Sequence, residues 1–383
     1  MKSGPPFYKC DNSELVAVMR RTPGKAKEFA KTVPGGNCVG YDNLDNFLRH
    51  PDLDAVYVST RPGTHYEICQ AVANAGLACY VEKPVGRCSE ETKQIVQLFE
   101  NKQLPLYTAY ISRSYTRTQK LRSLLFEEQV IGDTIESISY ELIGTGGARG
   151  MESAAGGSNL PWRLQVQQSG GGLIMDVGCH IIDRIEYIAN SSPLINIKGT
   201  AKNRNSLQYQ EVEDYVSFEA TIGPPLVKSS STVKCEGAKV TCTWDFAPKD
   251  GEQNSMDELI IRGPKGILRM VGMSPNGAIQ LLDPQDESLI KEYIFDMPQH
   301  TGQQMIQAVT NDLLVKLGRS PSNSGKSNSS SNDDANVVLS YGDNAIRTQQ
   351  VIDACLSSYY GGREIGYWDR PPEMWPGLSE RKQ

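Results

Sequence analysis

Apolar positions along the chain change their period twice, and the changes divide it. Short β-rich runs at residues 14–19, 55–59, 78–82 and 104–109 alternate with helix-period stretches at 25–31, 44–48, 64–75 and 90–101. Alternation at this spacing predicts βαβ units and hence a doubly wound parallel sheet. A helix over 121–129 leads out of that layer. Longer strands then dominate, at 134–143, 195–203, 214–222, 233–244, 258–262, 267–271 and 278–282, predicting an open, mostly antiparallel sheet in an α+β domain. Helices return at 301–317 and 342–358. Residues 320–336, rich in Ser, Asn, Gly and Asp without a hydrophobic period, are expected to form a disordered surface insert. The expected organisation is a Rossmann-like first domain over 1–120, an α+β second domain over 121–360, and a tail over 361–383.

Length and charge narrow the function. A chain of 383 residues holds two domains with sizeable cores. A net charge of -6 argues against nucleic acid or an anionic membrane as partner. No apolar run reaches a membrane span, and the first residues lack the apolar core of a signal peptide. Nine cysteines, scattered without repeated spacing, read as reduced thiols and point to a cytoplasmic setting.

The chemistry concentrates in two segments. Lys83, in Glu82-Lys83-Pro84, stands where a strand ends and a proline forbids its continuation. Ligands of open parallel sheets bind beyond such carboxyl ends. Some ninety residues on, Gly170-Gly171-Gly172 precedes a helical pattern from Leu173, in which Asp176, His180 and Asp183 fall at i, i+4 and i+7 on one face. A histidine one turn from a carboxylate is oriented by it, with its charged form favoured. The glycines let backbone approach a ligand closely. No second histidine or cysteine pair stands at metal-ligand spacing, so no metal is expected. Cys179 and His180 point about 100° apart as helical neighbours, which excludes a Cys–His nucleophile.

These motifs, with Asp54-Ala55-Val56-Tyr57-Val58-Ser59-Thr60 and Pro161-Trp162-Arg163, resemble the Gfo/Idh/MocA family (glucose–fructose oxidoreductase, inositol dehydrogenase and relatives) over most of the chain. The resemblance implies an NAD(P)-dependent oxidoreductase that moves a hydride to or from a sugar, polyol or related carbonyl compound. Lys83, Asp176 and His180 would be catalytic, His180 carrying the proton and Lys83 polarising, with the two roles open to exchange. Tyr110, Arg113, Trp162, Arg163 and Asp176 would line the substrate pocket. Ser59, Thr60, Arg61, His65, Glu82 and Lys83 would flank the cofactor, His65 chiefly by anchoring its loop. Arg20 and Arg21 stand where an acidic residue commonly binds the NAD ribose, so NADP is expected over NAD, which stays possible. The chain departs from the family in lacking a first strand and its Gly-x-Gly-x-x-Gly turn. That departure leaves two readings: a shortened chain, or a scaffold protein that has lost its dinucleotide cradle. An apolar open sheet face is expected to drive self-association into a homodimer or higher homo-oligomer.

Overall fold

The computed structural model describes residues 4–144, 160–204, 210–226, 232–248, 255–319 and 339–379; the predicted insert over 320–336 lies outside the described residues. The first part alternates as its hydrophobic pattern requires. Helix α1 (Gly4–Lys9) precedes β1 (Ala17–Met19), α2 (Lys25–Ala30), β2 (Val39–Tyr41) and α3 (Leu44–Leu48). Then follow β3 (Ala55–Val58), α4 (His65–Asn74), β4 (Ala78–Val81), α5 (Ser89–Glu100) and β5 (Leu106–Thr108). All pairings here are parallel, but the strands form two sheets, β1–β2 and β3–β4–β5. Among the described residues, β1 and β3 each keep one edge without a strand partner. Among the described residues, no strand joins these two sheets.

Helix α6 (Thr116–Phe126) begins five residues before the apolar pattern suggests, because Tyr115 and Thr116 start the turn and the buried Arg117 and Thr118 carry no hydrophobic signal. Beyond it, β6 (Ser137–Ile143), β7 (Leu194–Lys202), β8 (Tyr215–Ile222), β9 (Lys239–Asp245), β10 (Met256–Gly263), β11 (Gly266–Val271), β12 (Gly277–Leu282) and β13 (Leu289–Phe295) build one eight-stranded sheet. Its order is β13-β12-β11-β10-β6-β9-β8-β7, with only β6 and β9 parallel. Strict alternation sorts its faces. Ile138, Tyr140, Val216, Phe218, Val240, Cys242, Trp244, Leu259 and Ile261 are buried. The other face carries Ser139, Glu141, Ser217, Glu219, Thr241, Thr243 and Glu258 in register. The open face is therefore polar, contrary to the apolar surface expected of it. Exposed apolar side chains gather instead on the edge strand β13 and just beyond it, at Leu289, Ile290, Ile294 and Met297.

The chain's end returns to its beginning. Helix α9 (Gln303–Lys316) packs Met305, Ile306 and Val309 against Ala78, Tyr80 and Tyr107 of the parallel sheet. Helix α10 (Gly342–Tyr360) lies on β7 and α5. Residues 361–379, expected as a tail, are built into the core through Tyr367, Trp368, Trp375 and Leu378 and end in the short α11 (Pro376–Ser379). Among the described residues, no helix is long and apolar enough to cross a membrane.

Two helices carry the site segment. After the short α7 (Val166–Ser169), residues Ile174–Gly178 are π-helical and run into α8 (Cys179–Ile188), whose Ile181, Ile182, Ile185 and Ile188 are buried in the core. Asp183 does not share the site face. It is buried and grips Arg113 through two bonds, Nε to Oδ2 at 2.8 Å and Nη2 to Oδ1 at 2.6 Å. This pair locks the turn before α6 onto α8, and removing one partner strands a buried charge, at a cost of about 3–5 kcal/mol. Asp183→Asn is expected to lower the urea unfolding free energy by about 3 kcal/mol or more. The double change Arg113→Met with Asp183→Leu should cost less than Arg113→Met alone.

Candidate active site

Strand β4 delivers Lys83. The strand ends at Val81, the Lys83–Pro84 bond is cis, and the loop from 82 to 88 leads into α5. The lysine crosses to the second segment: its Nζ donates to the Asp176 carboxylate at 2.8 Å and to the Asp176 carbonyl at 2.7 Å. That carbonyl lies within the π-helical stretch Ile174–Gly178. The other carboxylate oxygen of Asp176 accepts from Arg163 Nε at 2.6 Å. The Arg163 guanidinium lies 4.4 Å from the ring centre of Trp162 and keeps much of its surface open.

Charge follows from this arrangement. Burial pulls the Lys83 ammonium down, but Asp176, with Cys179 and Glu82, outweighs it and holds the lysine protonated above its ordinary value. Burial likewise pushes Asp176 up, and Lys83 and Arg163 overcome it, keeping the carboxyl well below the usual range. His180, half-buried, is driven the opposite way from expectation. Burial, then Lys83 and Arg184, push its imidazole well below 6.5, against the pull of Asp176. The expected favouring of charged His180 by Asp176 therefore fails, because burial and the Lys83 charge outweigh the carboxylate. Burial pushes the Cys179 thiol up to about 12, so it holds its proton.

Two expected pocket residues are buried rather than lining an opening. Arg113 is fully enclosed with Asp183, which removes it from substrate contact. Tyr110 is also enclosed; its ring stands edge-on to His180, with centroids 6.4 Å apart, and so braces the imidazole. Trp162 and Arg163 remain partly exposed.

Cofactor-side residues stand at strand carboxyl ends. Arg20 and Arg21 follow β1 and are exposed, as are Ser59, Thr60 and Arg61 after β3. His65 is buried, its two ring nitrogens 3.0 Å from the Val85 carbonyl and 3.2 Å from the Thr60 carbonyl. It ties the β3 loop to the Lys83 loop and touches no opening, which is the anchoring role. Glu82 accepts the Tyr57 hydroxyl at 2.5 Å. Exposed guanidiniums, hydroxyls and the Lys83 ammonium at the ends of parallel strands are a donor set that fits a dinucleotide.

Sequence reasoning missed the supports of the glycine turn. Gly172 N–H donates to Glu213 at 2.7 Å, and the Tyr360 hydroxyl closes on the same carboxylate at 2.5 Å. Gly170 takes φ +83°, and a Cβ there would stand 2.5 Å from the Arg87 carbonyl. Arg363 and Tyr367 hold this turn from the chain's end. The density of aromatics over 359–375 was the available sign that this end is core.

Comparison with known proteins adds to the geometry. A sequence profile described as "Oxidoreductase family, NAD-binding Rossmann fold" matches residues 2–110, and one described as "GFO/IDH/MocA C-terminal domain" matches residues 145–269. Oxidoreductase P35 of Formosa agariphila is 27% identical over 321 residues, covering 82% of this chain and 87% of that protein. Levoglucosan dehydrogenase of Pseudarthrobacter phenanthrenivorans is 30% identical over 163 residues, which are 41% of this chain and 39% of that protein. An aldose–aldose oxidoreductase from Caulobacter crescentus, solved with glycerol, shares the fold at a TM-score of 0.68 and 20% identity, covering 92% of this chain and 91% of its own. With both profiles in chain order and together spanning more than half of its length, the chain belongs to the Gfo/Idh/MocA family of NAD(P)-dependent oxidoreductases.

Proposed function

We propose that this protein interconverts a hydroxyl and a carbonyl group on a sugar or polyol, with NADP as the working cofactor, at Lys83, Asp176 and His180. The observation that carries the reading is the contact of Lys83 with both oxygens of Asp176, side chain and main chain, beside a half-buried neutral imidazole. The sugar class rests on relatives named for such substrates, levoglucosan dehydrogenase and 1,5-anhydro-D-fructose reductase among them.

Bound NADP would supply the nicotinamide that takes or gives a hydride. The chain's residues handle the oxygen and its proton. Lys83, kept an ammonium by Asp176, donates a hydrogen bond to the substrate oxygen and stabilises negative charge developing there. His180, unprotonated at neutral pH, takes the hydroxyl proton during oxidation and returns it during reduction. Asp176 fixes Lys83 in place, and Arg163 with Trp162 offers a polar and stacking rim for a polyol. Arg20 and Arg21 would pair with a 2′-phosphate. Nine free thiols accord with a reducing, cytoplasmic setting. A second copy, docked along β13, is the partner suited to its exposed apolar residues.

Lys83→Met and His180→Ala should each lower kcat/KM for oxidation of an accepted polyol by about 10²–10⁴ with folding retained. Unchanged turnover in either would remove the assignment. Because His180 is depressed, its free base persists from alkaline pH down to well below 6.5, so oxidation should be flat across neutrality and fall only in acid. Lys83→Met deletes a cation that depresses His180, so the His180 titration midpoint, read by NMR, should move up. Replacing Arg20 and Arg21 with alanine should raise the Kd for NADP by about tenfold or more and leave NAD unchanged, since bonds to charged groups contribute about 1.5–3 kcal/mol. Equal weakening of both cofactors would count against NADP preference. Sedimentation should give a dimer that Ile294→Asp converts to monomer.

A further inference from the structure

Arg363 is an arginine with almost no access to water, and its ion pair is with Asp353 rather than with a carboxylate of the proposed reaction. Its Nη1 donates to the Gly170 carbonyl at 2.6 Å and its Nη2 to the Arg87 carbonyl at 2.7 Å. Its Nε donates to Asp353 Oδ1 at 2.7 Å. The other oxygen of Asp353 accepts the Ser89 N–H at 2.8 Å, at the start of α5. Tyr367 accepts from Arg363 Nη1 at 2.7 Å and gives its own hydroxyl proton to the Gly170 carbonyl. Gln349 of α10 adds a bond to the Arg87 carbonyl at 3.3 Å. The Arg87 side chain pairs with the buried Glu91 at 2.5 Å and is covered by the Trp368 ring at 3.5 Å.

Those two carbonyls belong to the two halves of the site. Arg87 closes the loop that begins at Lys83; Gly170 opens the segment that carries Asp176 and His180. One planar fork bridges both, and a guanidinium has the fixed donor geometry to hold two acceptors at a set separation. We propose that Arg363 and Tyr367 are positioning residues, which through their shared hold on the Gly170 and Arg87 carbonyls set where Lys83 stands relative to Asp176 and His180. The role rests on the assignment of Lys83 and His180 above, and neither Arg363 nor Tyr367 touches the reacting groups.

The test separates placement from mere stability, and separates this role from the activity itself. Tyr367→Phe removes one bond to Gly170 and keeps the ring; Arg363→Lys keeps the charge and loses the bridge. With the whole chain of each variant, hydrogen exchange should rise at residues 83–88 and 170–176 while the eight-stranded sheet stays protected. The His180 midpoint, faced by Lys83, Asp176, Arg184 and Tyr110, should move up by about half a unit, or a factor of about three in proton affinity, as Lys83 slackens. Neither readout needs a substrate, so they stand even if the oxidoreductase reading fails. With NADP and a polyol the parent oxidises, kcat should drop at least tenfold and the KM for NADP stay within twofold. Folded variants with exchange, His180 midpoint and kcat all unmoved would overturn the proposal. If Arg363→Lys does not fold, Tyr367→Phe decides alone, by the same readouts.

Discussion

The contact between Lys83 and Asp176 joins the two architectures of the molecule. One partner hangs from the end of a parallel strand, the other from a π-helical turn over the antiparallel sheet. Both are largely withdrawn from water, so their mutual attraction is screened little. Asp176 answers Lys83 with two different oxygens and turns its remaining one to Arg163. The protonated lysine follows from how this one carboxylate divides its bonds, and the neutral imidazole from burial and the lysine charge held beside it.

Much of this was legible in the residues. The change of hydrophobic period located both layers, and Glu82-Lys83-Pro84 with Asp176 and His180 marked a site from opposite ends of the fold. The errors have physical causes. Helical spacing assumed a regular α-helix, whereas the π-helical stretch before Cys179 shifts the register, and Asp183 turns inward to Arg113. The short β2 carries too few apolar residues to show a period. Strand β13 lies at an edge with both faces wet, so alternation has nothing to record. Arg363 is invisible for a different reason: its partners are carbonyls, and main-chain acceptors leave no mark on a sequence.

The first layer is organised around a discontinuity. Strands β1–β2 and β3–β4–β5 run parallel but do not join, and the loops between them are held by tertiary ties. His65 links the β3 loop to the Lys83 loop, and a Cβ on Gly63 would stand 2.6 Å from the Gln167 carbonyl, so that loop also abuts the substrate-side segment. Close backbone contacts thus keep Thr60, Lys83 and the glycine turn in fixed relation although no continuous sheet runs beneath them.

The buried strap over 361–378 gives the molecule an order in time. Domains fold as the chain emerges from the ribosome, N-terminal part first. The carbonyls of Arg87 and Gly170, however, find their shared donor in Arg363, which follows every named strand along the chain. The sheets can therefore be in place while the site between them still lacks its brace. A nascent chain of this protein acquires its strands before it acquires the side chain that ties the two halves of the site together.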